Sequence, residues 1–235
     1  MKVSVIIPTT NKELPLANRC AESVRNSTYK EIEIIIINEN KKRSEQRNLG
    51  IEKSHGDFIM YLDSDHTVSP ELIGECVDLM NYGYSAVYIP EIIITPGWFA
   101  YIRNWERNFY NSTPIDCVRF LKTECCPKFH TELDGPEDSQ HDREVRGKRT
   151  ITINPIYHYD NVGIVDFFRK KAYYCKSMQR FAERNPDDKI LDWKWRCIKV
   201  FLENSKWKRF LSRPDLALAV LTLILIRGII YLTRR

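Results

Sequence analysis

The chain carries no Walker-type phosphate loop, no dinucleotide fingerprint and no zinc motif, which closes the common glycine-rich and cysteine-rich routes to nucleotide or metal binding. Its seven cysteines are an odd number, scattered, with no Cys-x-x-Cys and a single adjacent pair, Cys125-Cys126. That excludes a disulfide framework and reads as reduced core thiols of a cytosolic protein. Neither an internal repeat nor a low-complexity segment is present. The N-terminal apolar stretch Val3 to Ile7 is too short for a signal peptide and Pro8 follows at once, so the sequons at Asn26 and Asn111 are read as chance matches. Long apolar runs are scarce too: Leu216 to Ile226 is the only one.

With 235 residues, 43% hydrophobic and 29% charged, the chain has the composition of one sizeable globular domain plus an appendage. The formal net charge of +5 is uneven: Lys189 to Arg213 holds eight Lys/Arg against two Asp/Glu, a local +6 that leaves the remainder at −1. Because this basic segment adjoins the apolar run, it points to a membrane surface and not to nucleic acid.

The chain is organised around Gly56-Asp57-Phe58-Ile59-Met60-Tyr61-Leu62-Asp63-Ser64-Asp65-His66, a short apolar run ending in two carboxylates one residue apart. Such a run behind a glycine predicts a buried strand. The period of two then sends Asp63 and Asp65 the same way at its carboxyl end, where open α/β sheets place ligands. Carboxylates suit Mg2+ or Mn2+, the usual bridge to a diphosphate. The competing reading is a helix start, with Ser69-Pro70 as cap and first turn. Around this stretch the pattern predicts strands at 3–7, 33–37, 86–94, 117–122 and 150–157, and helices at about 14–26, 44–53, 70–81, 98–110, 137–147 and 165–184. Their β-α-β-α-β opening implies a mostly parallel α/β sheet flanked by helices. Four loop segments meet at one sheet edge: Pro8 to Asn11, Asn38 to Asn40, Asp63 to Asp65, and Glu137-Asp138 with His158.

In order and spacing, five pieces resemble the family 2 glycosyltransferases of the GT-A, Rossmann-like fold: Val3 to Thr9, Arg47-Asn48-Leu49-Gly50, Gly56-Asp57-Phe58 running into Leu62-Asp63-Ser64-Asp65, Gly135-Pro136-Glu137-Asp138, and the strand ending in His158. The resemblance covers residues 1–185. It implies that Pro8, Thr9 and Asn11 hold the nucleotide, with Glu39 near the base or ribose. Asp63 and Asp65 match the family's Asp-x-Asp, the second ligating Mn2+ or Mg2+ directly and the first contacting ribose or metal. Asp138 matches the general base, with Glu137 as its substitute, and His158 matches a metal-side histidine. Residue by residue the alternatives stay open: a histidine at a strand end is commonly a satisfied one, and Glu137-Asp138 is also good chemistry for a helix start. The resemblance further implies an inverting hexosyltransferase using a nucleotide sugar of the GDP-mannose or UDP-glucose type. The chain departs from the family where many members carry an aspartate pair; here stand Asn38-Glu39-Asn40, leaving the base open. No Gln-x-x-Arg-Trp run is present, which favours a single transfer per acceptor.

C-terminal to this domain, residues 186–213 read as basic amphipathic elements, with Leu191, Trp195, Ile198 and Leu202 on one helical face. Residues 214–233 read as a helix of roughly 28 Å that spans a membrane or lies in its interface, interrupted by Arg227. The expected protein is membrane-associated, its catalytic domain facing the cytoplasm, and its acceptor is a membrane lipid such as a polyprenol phosphate or a glycolipid. Basic residues on the domain side, heavier than the closing Arg234 and Arg235, fit that orientation. Packing of the helix on the domain or on a second copy of the chain is the soluble alternative. Two other classes compete. A sugar-phosphate nucleotidyltransferase would want a glycine-rich basic loop in place of Pro8-Thr9-Thr10-Asn11. A non-catalytic membrane-binding module leaves the convergent carboxylates unexplained.

Overall fold

A computed structural model describes residues 1–160 and 163–233; Arg234 and Arg235, used above for orientation, lie outside the described residues. In chain order the elements are β1 (Val3–Thr9), α1 (Leu14–Arg25), β2 (Ile32–Asn38), α2 (Arg43–Glu52), β3 (Phe58–Tyr61), β4 (His66–Val68), α3 (Leu72–Asn81), β5 (Ala86–Tyr88) and β6 (Glu91–Ile93). They continue with α4 (Trp98–Arg107), β7 (Val118–Lys122), α5 (Glu137–Glu144), β8 (Arg149–Ile151), β9 (Ile156–His158), α6 (Ile164–Arg184), α7 (Val200–Leu202), α8 (Lys206–Ser212) and α9 (Pro214–Thr233). The described residues pack as two compact units: 1–94, 116–131 and 137–160 form the first, and 95–115, 132–136 and the described part of 161–235 the second.

The first unit is a mixed α/β structure on a six-stranded sheet of order β2-β1-β3-β7-β5-β8. Pairs β1–β2, β1–β3 and β5–β8 are parallel, and β7 runs against both its neighbours. Alternation along β1 explains its burial on both sides. Val3, Val5 and Ile7 enter a core with α1 and α3 residues such as Ala17 and Cys76, while Ile6 joins Ile59, Tyr61 and Leu121 on the other face. Removing each such aliphatic side chain from water contributes about 1.5–3 kcal/mol. Gly56 opens β3 because a Cβ there would lie 2.7 Å from the Ser4 backbone nitrogen and 2.8 Å from the Lys2 carbonyl oxygen, and backbone cannot yield.

Two predicted strands prove to be two pieces each, and proline is the reason. Residues 86–94 divide at Pro90 into β5 and β6, and residues 149–158 divide at Asn154-Pro155 into β8 and β9, because proline supplies no ladder donor. The second pieces leave the main sheet and join β4 in a three-stranded sheet of order β4-β9-β6. β4 falls where a loop was expected, and its His66 stands opposite His158 in the ladder. Ser69 does not cap α3, which begins at Leu72; the Pro70 carbonyl instead accepts from the Ser27 and Thr28 hydroxyls, each at 3.0 Å.

The second unit is helical. α4, α6, α7, α8 and α9 share one core, in which Trp105, Phe109, Phe201 and Leu223 are buried. The amphipathic stretch differs from a regular helix, since Trp195–Lys199 winds as a π-helix and Asn204 and Ser205 adopt left-handed backbone before α8. The register therefore shifts: Trp195, Val200 and Phe201 turn inward, while Ile198 and Leu202 are exposed. α9 has two apolar faces. Leu216, Ala217, Val220 and Leu223 are buried, and Leu218, Leu221, Leu225, Ile229 and Leu232 form an exposed stripe at helical spacing. Arg227 lies on the packed side, where its guanidinium pairs with the fully buried Glu106 of α4.

Candidate active site

Strand β1 delivers Pro8 and Thr9 to the sheet edge with both residues buried. The Thr9 amide donates to Gln46 Oε1 at 2.9 Å, and the Gln46 amide group donates to the carbonyls of Glu39 and Lys41 at 2.9 and 3.1 Å. One side chain of α2 thus ties the β1 loop to the β2 loop. Asn11 is exposed and accepts from the Asn38 amide at 2.8 Å, while the Glu39 carboxylate is turned to Lys41 at 2.7 Å. Pro8, Thr9, Asn11 and Glu39 therefore share one edge.

After β3 the chain does not stay extended. The His66 amide donates to the Asp63 carbonyl at 3.0 Å, closing a turn that gives Asp63 and Asp65 different surroundings. Asp63 Oδ1 accepts from Arg47 Nη2 at 2.8 Å, and Arg43 and Arg119 approach its carboxylate at 3.8 and 3.9 Å. Burial would push its pKa up, but Arg43, Arg47, His66 and Arg119 hold it well below the usual carboxylate range. Arg47 is fully buried, and its other terminal nitrogen donates to Asp138 Oδ1 at the start of α5. Its guanidinium also lies 5.1 and 5.0 Å from the rings of Tyr61 and Phe129. One buried cation thus joins the first carboxylate of the Asp-x-Asp to the aspartate of the Glu-Asp pair. Glu137 next to Asp138 is buried, and that burial with the Asp138 charge raises its pKa.

Asp65 meets a different partner. Its Oδ2 lies 3.0 Å from His158 Nε2, and His158 Nδ1 lies 2.6 Å from Glu91 Oε1 on β6. Burial alone would lower the His158 pKa, but the carboxylates at its two nitrogens outweigh that and push it up to about 10. His66 is neutral, its pKa lowered by burial to about 4, and its Nδ1 accepts from the Asp63 amide at 3.1 Å. The proton then sits on Nε2, which is buried without a hydrogen-bond partner among the described residues. The ligand atoms of Asp65, His66 and His158 lie within 4.8 Å of one another. Of these, Asp65 and His158 fit a divalent ion best, because a carboxylate and an imidazole backed by a second carboxylate form a familiar oriented set, with an ion taking the place of the proton between them. Asp63, bound by arginines, stands outside this group.

Glu91, Arg119, Gln46 and His66 were not singled out from the sequence. Glu91 had no spacing signal, since only the break at Pro90 carries it beside β9; Arg47 lay inside a quoted motif without a role. The His158 geometry gives a pH dependence. Its folded pKa of about 10 exceeds the ordinary histidine value, so the two ion contacts stabilise the metal-free protein fully below about pH 6.5 and are lost as pH rises towards 10. The melting temperature should fall across that window more steeply in wild type than in His158→Gln. Parallel curves for the two proteins would contradict the assignment.

The profile described as "Glycosyl transferase family 2" matches residues 4–44 and 38–131. The chain is similar to GalNAc(5)-diNAcBac-PP-undecaprenol beta-1,3-glucosyltransferase of Campylobacter jejuni, 24% identical over an alignment of 115 residues, with 37% of this chain and 37% of that one covered. It is also similar to the putative glycosyltransferase EpsH of Bacillus subtilis, 29% identical over 119 residues, 37% of this chain and 34% of that one. The match thus spans little more than a third of the length of these curated relatives. Among solved structures, S. aureus TarS aligns over 100% of this chain and 54% of its own, with a TM-score of 0.54 and 14% identity, a likeness that shows a GT-A-like fold. Since the profile covers over half of the chain, including strands β1 to β3 and the Asp63-Ser64-Asp65 turn, the chain belongs to glycosyl transferase family 2.

Proposed function

We propose that this glycosyltransferase is inverting and metal-dependent, and moves a hexose from a nucleoside-diphosphate sugar to a lipid acceptor at a membrane surface. The observation that carries the reading is the convergence of Asp63, Asp65, His158, Glu137 and Asp138 at one sheet edge, with Arg47 buried between two of them. In this reading Pro8, Thr9, Asn11 and Glu39 line the nucleotide's place, and Asp65 and His158 hold Mn2+ or Mg2+, with Asp63 beside them. When bound, the ion supplies charge neutralisation for the leaving diphosphate. Asp138 accepts the proton of the incoming hydroxyl, whose oxygen bonds the anomeric carbon from the face opposite the diphosphate. Arg47 fixes the Asp138 carboxylate, while burial and the neighbouring Asp138 charge raise the pKa of Glu137. The donor class draws support from TarS, whose solved structures include complexes with UDP and UDP-GlcNAc. A GDP-mannose or UDP-glucose type of donor is retained.

The lipid acceptor draws support from the PP-undecaprenol in the name of the Campylobacter relative and from α9, which is long and apolar enough to cross a membrane by length and composition. The Arg227–Glu106 pair favours an interfacial placement over a bare span, because one face of α9 is occupied by protein while the stripe from Leu218 to Leu232 is free for lipid. The catalytic domain would face the cytoplasm, and the same stripe offers a contact for a second copy of the chain.

Asp138→Asn should lower kcat about 10²- to 10⁴-fold while leaving the donor Kd nearly unchanged, because it deletes a proton acceptor and keeps the shape. Single-turnover kinetics with a donor-binding titration check this; a collapse of donor affinity with little change in rate would move the base elsewhere. Leu218→Gln with Leu225→Gln and Ile229→Gln should shift the protein from the membrane fraction to the soluble one while donor hydrolysis survives. Unchanged membrane partition of that variant would contradict the interfacial placement.

A further inference from the structure

The helical unit gathers positive charge around a single carboxylate. Glu106, fully buried on α4, pairs with Arg103 and Arg227 and accepts from the Tyr110 hydroxyl at 2.7 Å. On the neighbouring ring of Phe167, the Arg103 guanidinium sits 4.6 Å and the Lys171 amine 5.4 Å from the centroid, which brings a third cation into the group. Arg196, donating to the Ile190 carbonyl at 3.2 Å, interacts electrostatically with Arg227, Tyr110 and Glu106. Four cations thus share one carboxylate. Neither Lys171 nor Arg196 makes an ion pair among the described residues. Burial and the neighbouring Arg103, Arg227 and Arg196 lower the Lys171 pKa to about 7, the mark of uncompensated positive charge. All four side chains nonetheless keep intermediate exposure, so an anion can reach them.

Like charges brought together with partial loss of water are costly unless an anion completes the set, and planar guanidinium forks with a compact ammonium match phosphate oxygens. The same helix that supplies Arg227 bears the exposed apolar stripe through Leu225 and Ile229, where acyl or prenyl chains would lie. We propose that Arg103, Lys171, Arg196 and Arg227 form an anion site that takes the phosphate headgroup of a membrane lipid. It consists of side chains of the helical unit alone, so binding and not activity tests it.

The full chain is assayed by co-sedimentation with phosphatidylcholine vesicles with and without phosphatidic acid, and by thermal shift in inorganic phosphate against chloride at equal ionic strength. Lys171→Gln with Arg196→Gln removes two cations that have no carboxylate to strand; Lys171→Gln alone serves if the double variant misfolds. Lys194→Gln with Lys208→Gln removes the same charge from exposed positions and measures diffuse attraction. The expected result is a loss of phosphatidate-dependent binding about tenfold greater in the Lys171/Arg196 variant than in this control, which loses only the diffuse attraction of two surface lysines. Stabilisation by inorganic phosphate in wild type and control, but not in the Lys171/Arg196 variant, would show that the site also takes free phosphate; its absence with the vesicle difference retained would assign it to lipid. Equal losses in both variants with no selective phosphate effect would overturn the proposal.

Discussion

A guanidinium with no exposure to water is the constraint on which the first unit depends. Arg47 can lie inside only because carboxylates meet its two terminal nitrogens, Asp63 at the end of β3 and Asp138 at the start of α5, with the Tyr61 and Phe129 rings beside it. Removing one partner from such a buried pair typically costs about 3–5 kcal/mol, since the remaining charge is stranded. The tie fixes α2 against the sheet, where Gly50 already packs so close to Ile6 that a Cβ would lie 2.2 Å from its Cγ2. It also gives each of the two carboxylates a cation partner, and that charge with Arg43, His66 and Arg119 holds the Asp63 pKa well below the usual carboxylate range. Gln46, one residue earlier on the same helix, ties the loop after β1 to the loop after β2, so one helix sets both halves of the edge.

The second constraint is covalent. Pro90 and Pro155 end the pairing of β5 and β8 and redirect the chain into a small sheet, which carries Glu91 and His158 to the Asp65 turn. His158 is held between two carboxylates, and a proton now occupies the place where a divalent ion would bind. Proton and ion would compete for the same lone pair of His158, with Glu91 orienting the ring in either state.

Much of this was legible in the sequence because it is local. Short continuous apolar runs marked β1, β2 and β3, and the resemblance to the family pointed to Asp63, Asp65, Glu137, Asp138 and His158. The parallel opening of the sheet followed from strand-helix order. What escaped notice depends on contacts remote in sequence. Glu91 meets His158 across 67 positions, and Arg47 meets Asp138 across 91. The shared direction of Asp63 and Asp65 assumed an extended chain, but the turn at His66 breaks the period of two. The amphipathic face at 191–202 assumed regular helical winding, which the π-helix at Trp195 replaces. Arg227 looked like a cost to an apolar helix; its partner Glu106 lies 121 residues away.

Asp65 and His158 are the proposed place of the divalent ion on which transfer would depend. Mn2+ titrated into the protein in the presence of a nucleoside diphosphate, with the free ion followed by electron paramagnetic resonance, measures that place without any acceptor. One ion per chain in wild type is predicted, with affinity weakened about tenfold or more in Asp65→Asn. Equal affinity and stoichiometry in the two proteins would contradict it.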